Sequence, residues 1–203
     1  TGKFESVPSH VWACTLLWVR LKIACPALGK IVNNENFYER LTVHDLGETY
    51  PGDVSMAIKI AGELDLGKKE EKEAYLELVK EFPSEGRMTL EKWFDELENN
   101  QTGEVPLEVL VLRWIDNLQG DHFALTYGSN LPDHSETIEK IVKKRSAARG
   151  RELIDFLRKK AFERVDMWGL YEDATSEVEE VMRVHIDLIR KAGIRIDLSD
   201  FGF

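Results

Sequence analysis

His44, Asp45, Glu48 and Asp53 fall within the ten residues HDLGETYPGD, while His10 and Asp116 each stand on a stretch that is otherwise largely apolar. Imidazole beside carboxylate builds either a cation site or an acid–base pair. His10, His44, Asp45 and Asp116 together offer two neutral imidazoles and two carboxylates, a set whose charge balances a divalent cation. Nitrogen and oxygen donors without a thiolate point to Mn, Co, Fe, Ni or Mg in a roughly octahedral site that keeps water in its open positions. Taken singly, each residue has a plainer reading. His10 near a helix start suits a capping or core-edge histidine, and Asp116 can pair with Arg113 one turn before it.

The elements that would carry these groups are helical. ESVPSHVWACTLLWVRLKIA has serines at positions 6 and 9 able to cap a start that tolerates Pro8, then apolar residues at helical spacing, ending near Pro26 to Gly29. NENFYERLTVHDLGETY places Phe37, Leu41, His44, Asp45 and Glu48 on one stripe at steps of three and four, with an end marked by Gly47 and Pro51-Gly52. On that stripe Glu48 lies one turn beyond His44, too far along to replace Asp45 as a ligand, yet facing the same side. KKEEKEAYLELVKEF and MTLEKWFDELEN read as surface helices. PLEVLVLRWIDNLQGDHFALTYG reads as a strongly apolar helix with Leu112, Asp116, Gln119 and Phe123 in register, and two long helical segments follow from Ser135 to Tyr171 and from Thr175 to Gly193. Strand-type alternation is almost absent, so the expected class is all-α.

The 203 residues suit one domain with a sizeable core, and 43% apolar with 32% charged residues suits a soluble globular chain. With 27 Lys and Arg against 37 Asp and Glu the net charge is −10, which disfavours binding to duplex nucleic acid. A bound cation and a few local basic groups can still reverse the potential inside a pocket for a small phosphorylated substrate. Cys14 and Cys25 lie too far apart along one helix for a disulfide, which fits reduced thiols in a cytoplasmic protein. No apolar run approaches the ~20 residues needed to span a bilayer.

In order and spacing these motifs resemble the HD-domain metal-dependent phosphohydrolases: a His, then His-Asp, then a distant Asp in an all-helical chain. ESVPSH, HDLGETYPGD and VLRWIDNLQ are similar to the three ligand segments of the branch that includes the bacterial 5'-deoxynucleotidases, and the likeness runs from about Glu5 to about Gly128. It implies a single helical domain over 1–203, with the metal-site core at about 5–128 and helices of about 135–192 packed on it. It makes His10, His44, Asp45 and Asp116 the ligands, Glu48 the residue that handles the proton of the attacking water, and Asp53 a second acid near the sugar or leaving group. Asp53 equally suits an N-cap of the VSMAIKIAGEL segment.

The expected activity is release of phosphate from a nucleotide or similar small ester, foremost a (deoxy)nucleoside 5'-monophosphate. Triphosphohydrolysis and a non-catalytic metal or nucleotide sensor are the alternatives. The Arg and Trp with which that branch grips phosphate and sugar upstream of the first ligand are not among the nine residues before His10. Arg113 and the basic run KKRSAARGR are the candidate phosphate contacts; Arg113 has an ion pair to Asp116 or Glu108 as its other reading, and the run has a solvated helix face as its favoured one. Asp121, His122, His134, His185 and Asp187 read as surface groups. A homodimer is compatible with the apolar residues of the C-terminal helices, among them Trp168, Leu170 and Tyr171.

Overall fold

Ser6 starts the first helix: its hydroxyl accepts from the Ser9 N–H at 3.3 Å while Pro8 occupies the first turn. In the computed structural model, which describes residues 5–49, 64–98, 103–127 and 139–201, helix α1 spans Val7–Ala24. It stops short of the expected end. Pro26 opens a separate helix α2 (Pro26–Ile31), whose free N–H groups at Ala27 and Leu28 donate to the Glu177 carboxylate at 3.0 Å. A carboxylate at a helix N-terminus satisfies orphan donors and opposes the helix dipole.

Helix α3 spans Asn34–Val43 under an Asn33 cap and ends one residue before His44. The stripe from Phe37 to Glu48 therefore does not run on as one α-helix: His44 and Asp45 sit in a turn, and Leu46–Thr49 wind as a 3₁₀ helix. Gly47 explains the tighter winding, because a Cβ there would lie 2.6 Å from the Glu71 carbonyl oxygen of the next helix. That helix, α4 (Leu64–Val79), and α5 (Ser84–Leu97) form more than a charged surface pair. Tyr75, Val79, Leu90 and Phe94 make a small core of their own against which Val43, Leu46, Leu76 and Trp93 pack, so α4 and α5 support the chain on both sides of His44-Asp45.

Helix α6 (Leu107–Tyr127) is buried over most of its length and runs through the main core. The chain from residue 139 is helical but underwound into a wider π turn at Val142–Ser146 before α7 (Ala147–Glu163). After a short 3₁₀ turn at Val165–Met167 comes α8 (Trp168–Lys191), so the break between the last two helices falls earlier than expected. Tyr171 is core and Trp168 is exposed. The C-terminal stretch ends in a 3₁₀ turn, Leu198–Phe201, that buries Phe201 together with Ile194 and Ile196. One apolar cluster links α1, α2, α3, α6, α7 and α8.

Among the described residues no helix is long and apolar enough to cross a membrane. Two groups read as surface from the sequence are core. Asp121 on α6 and His185 on α8 are buried and meet at 3.0 Å, and the pair ties the two helices together. Asp187 and His122 are exposed as expected, and His134 lies outside the described residues.

Candidate metal centre

Three elements bring four of the expected residues together. His10 comes from the second turn of α1, His44 and Asp45 from the turn that ends α3, and Asp116 from the middle of α6. His10 Nε2 lies 3.0 Å from Asp116 Oδ1 and 3.4 Å from Asp45 Oδ2, and His44 Nε2 lies 3.1 Å from the same Asp45 oxygen. One ligand atom each from His10, His44 and Asp116 falls within 4.8 Å of the others, a spacing that a single cation can bridge.

The orientation of the His44 ring fits a cation as well as the spacing does. His44 Nδ1 is 2.8 Å from the Leu41 carbonyl, which can only accept, so Nδ1 carries the proton and Nε2 keeps its lone pair in the neutral ring. That Nε2 is buried and lies outside hydrogen-bond geometry with any partner. A buried acceptor aimed at two carboxylates is poorly satisfied by protein alone and well satisfied by a divalent ion.

Both imidazoles are nonetheless pushed up in the absence of a cation: for His44 burial pulls down, and the charge and hydrogen bond of Asp45 with the charge of Asp116 outweigh it. Burial by itself pulls the His10 imidazole down, but hydrogen bonds to Asp116 and Cys14 and the charge of Asp116 outweigh it, and His10 is pushed up to about 12. Burial likewise pushes Asp116 up, yet the hydrogen bond and charge of His10, with the charges of His44 and Arg145, hold it down at about 2. In protein stripped of metal the stabilisation from His10 is full below its ordinary 6.5 and is lost as pH rises through about 12. That from Asp116 is present above 3.8 and lost as pH falls through about 2.

A cation must therefore displace the proton on His10 Nε2 and compete with protonation of His44, whereas Asp116 is already ionised. Apparent affinity should rise at least about tenfold per pH unit near neutrality, with at least about one proton released per ion. Calorimetric titration of Mn in buffers of different ionisation enthalpy counts the protons released. Binding without release would remove His10 from the ligand set.

Glu48 follows on the 3₁₀ turn, half-buried, with its N–H donated to the Asp45 carbonyl at 3.0 Å. The ligand pair and the acid thus share one short, packed turn. Asp53 lies outside the described residues.

Arg113 does not join the cluster as a substrate contact. Its guanidinium is buried and donates to the Glu96 carbonyl at 2.6 Å and twice to that of Leu97, at 2.5 and 3.1 Å. These are carbonyls of the last turn of α5, so Arg113 caps that helix from the side. Neither expected ion pair forms: its nearest carboxylate is Glu152 at 3.9 Å, while Glu108 accepts from the Asn33 N–H.

Sequence reasoning assigned no role at the site to Glu5, Cys14 and Gln119. Glu5 Oε2 is 3.5 Å from His10 Nδ1, Gln119 Nε2 donates to Glu5 Oε1 at 2.7 Å, and the buried Cys14 Sγ is 3.6 Å from His10 Nε2. Helical spacing carried a signal for two of them, since Cys14 follows His10 by four residues and Gln119 follows Asp116 by three. Arg145, on the π turn, is the basic residue of the KKRSAARGR run whose charge reaches Asp116.

The family model of the HD domain matches residues 1–155, which include all four ligand candidates and Glu48. Searches of curated proteins and of solved structures returned no match. The match spans well over half of the 203 residues, and the chain belongs to the HD-domain family, whose members are in general metal-dependent phosphohydrolases.

Proposed function

We propose that the protein hydrolyses a small phosphate ester, foremost a (deoxy)nucleoside 5'-monophosphate, to inorganic phosphate. The observation that carries this reading is the convergence of His10, His44, Asp45 and Asp116 from three elements with Glu48 on the turn that follows. A structural ion needs the ligands and has no use for an adjacent acid. A divalent ion held there would supply Lewis acidity toward a phosphoryl oxygen and toward the attacking water. Glu48 holds that water and takes its proton as the new P–O bond forms, while the bond to the ester oxygen breaks in line and that oxygen leaves as the alcohol once protonated. Asp53 is assigned the sugar or leaving-group side on its motif match. Arg145, whose charge already reaches Asp116, replaces Arg113 as the proposed partner of phosphoryl oxygens.

The test is phosphate release from nucleoside mono-, di- and triphosphates with Mg, Mn or Co. Release from monophosphates, abolished in Asp45→Ala, is the expected result. Tripolyphosphate from triphosphates would replace the reading by a triphosphohydrolase. Metal binding with no hydrolysis anywhere in the panel would leave a sensor.

A further inference from the structure

His10 and His44 present their rings to the cluster in the same sense, Nε2 inward and Nδ1 outward, but what holds Nδ1 differs. For His44 it is the Leu41 main-chain carbonyl at 2.8 Å, which no side-chain substitution removes. For His10 it is a carboxylate: Glu5 Oε2 lies 3.5 Å from Nδ1. Glu5 precedes the Ser6 cap and so lies ahead of α1, where helical hydrogen bonds do not fix it. Its other oxygen is held instead by the side-chain amide of Gln119 at 2.7 Å, across 114 positions of sequence. Gln119 is itself buried and stands one turn beyond Asp116 on α6.

We infer that Glu5 and Gln119 are positioning residues for the metal centre. Glu5 keeps the proton on His10 Nδ1, so that the lone pair on Nε2 faces the cation, and Gln119 fixes Glu5 from the helix that supplies Asp116. A carboxylate behind a ligating histidine fixes ring orientation and raises its basicity, and losing it weakens metal binding by about 10- to 100-fold. The Glu5–Gln119 contact also fixes the spacing between His10 and Asp116, because each of these ligands sits one or two turns from an end of that contact.

The inference rests on reading the cluster as a metal site and not on which ester is cleaved. Its test is accordingly read without substrate, as the affinity for Co and Mn by calorimetry and as the visible absorption of bound Co. Glu5→Ala is expected to lose about 10- to 100-fold in affinity and to alter the Co spectrum. Glu5→Gln, whose carbonyl oxygen can still accept from Nδ1–H, recovers most of that loss. Gln119→Leu loses less than Glu5→Ala, and the double variant Glu5→Ala/Gln119→Leu is no weaker than Glu5→Ala alone, because Gln119 acts through Glu5.

Parent-like affinity in Glu5→Ala, or additive losses in the double variant, would overturn the inference. Thermal unfolding of each variant separates a weakened site from a weakened fold. If Glu5→Ala does not fold, the pair Glu5→Gln and Gln119→Leu decides: a loss in Gln119→Leu with near-parent affinity in Glu5→Gln supports it, and no loss in Gln119→Leu overturns it. Absence of phosphatase activity in the parent protein would sink the proposed substrate while leaving these affinities to be judged on their own.

Discussion

Glu48→Gln should keep the metal and lose the reaction. The substitution preserves size and shape at a half-buried position on the 3₁₀ turn, and it leaves the N–H to Asp45 carbonyl bond in place. What it removes is the ability to accept a proton. General-base assistance contributes about 10²- to 10⁴-fold, so kcat should fall by that factor, a barrier increase of roughly 3–5 kcal/mol. Metal affinity measured by calorimetry should stay within a few-fold of the parent, in contrast to Asp45→Ala, which should lose both. A large loss of metal in Glu48→Gln would make Glu48 a ligand or a support of the turn. Unchanged turnover would remove it from the chemistry.

Much of this site was readable from periodicity, and the parts that were not share one physical origin. His44 and Asp45 adjoin each other at the end of a helical stripe begun by Phe37 and Leu41, and Asp116 lies in register with Leu112, so local spacing sufficed to nominate them. The change of winding after Val43 was not legible, because it depends on how closely Gly47 approaches the main chain at Glu71. The place of Arg113 against α5 is not legible for a related reason. A guanidinium one turn from Asp116 has several directions open to it, and the last-turn carbonyls that accept from it belong to α5.

Asp121 and His185 show the same limit from the other side. Each is a polar residue that reads as surface, until a partner 64 positions away makes burial affordable. Helical spacing already sets Gln119 beside Asp116, but its pairing with Glu5 is not legible, because a hydrogen bond across 114 positions leaves no trace in local pattern. Period and adjacency nominate ligands; tertiary contacts decide which charged neighbour serves chemistry and which serves the fold.

The largest stability effect should come from Arg40. Its guanidinium donates to Glu96 Oε2 from Nε at 3.1 Å and from Nη2 at 2.8 Å, and from Nη1 to the Asn36 carbonyl at 3.1 Å. Both side chains are less than a tenth exposed, and the guanidinium also lies 5.3 Å from the Trp93 ring. The pair joins α3, which delivers His44 and Asp45, to α5, whose end Arg113 caps. Arg40→Met keeps the packing of the stem and strands the Glu96 carboxylate inside. Breaking one partner of a buried pair costs about 3–5 kcal/mol, most of it from the orphaned charge. Lys92 at 3.6 Å offsets part of that from the solvent side, so a loss near 3 kcal/mol is expected, or roughly 6–12 °C in Tm for a chain of this size.

Arg40→Met/Glu96→Leu supplies the decisive comparison. With both charges gone the orphan disappears, and urea denaturation should show most of the stability restored. If the double variant is as unstable as Arg40→Met, the cost lies in the lost contacts to Asn36 and Trp93. If Arg40→Met is as stable as the parent, the pair contributes nothing net, and the seating of the His44-Asp45 turn must be credited to the apolar contacts of Val43 and Leu46 with α4 and α5.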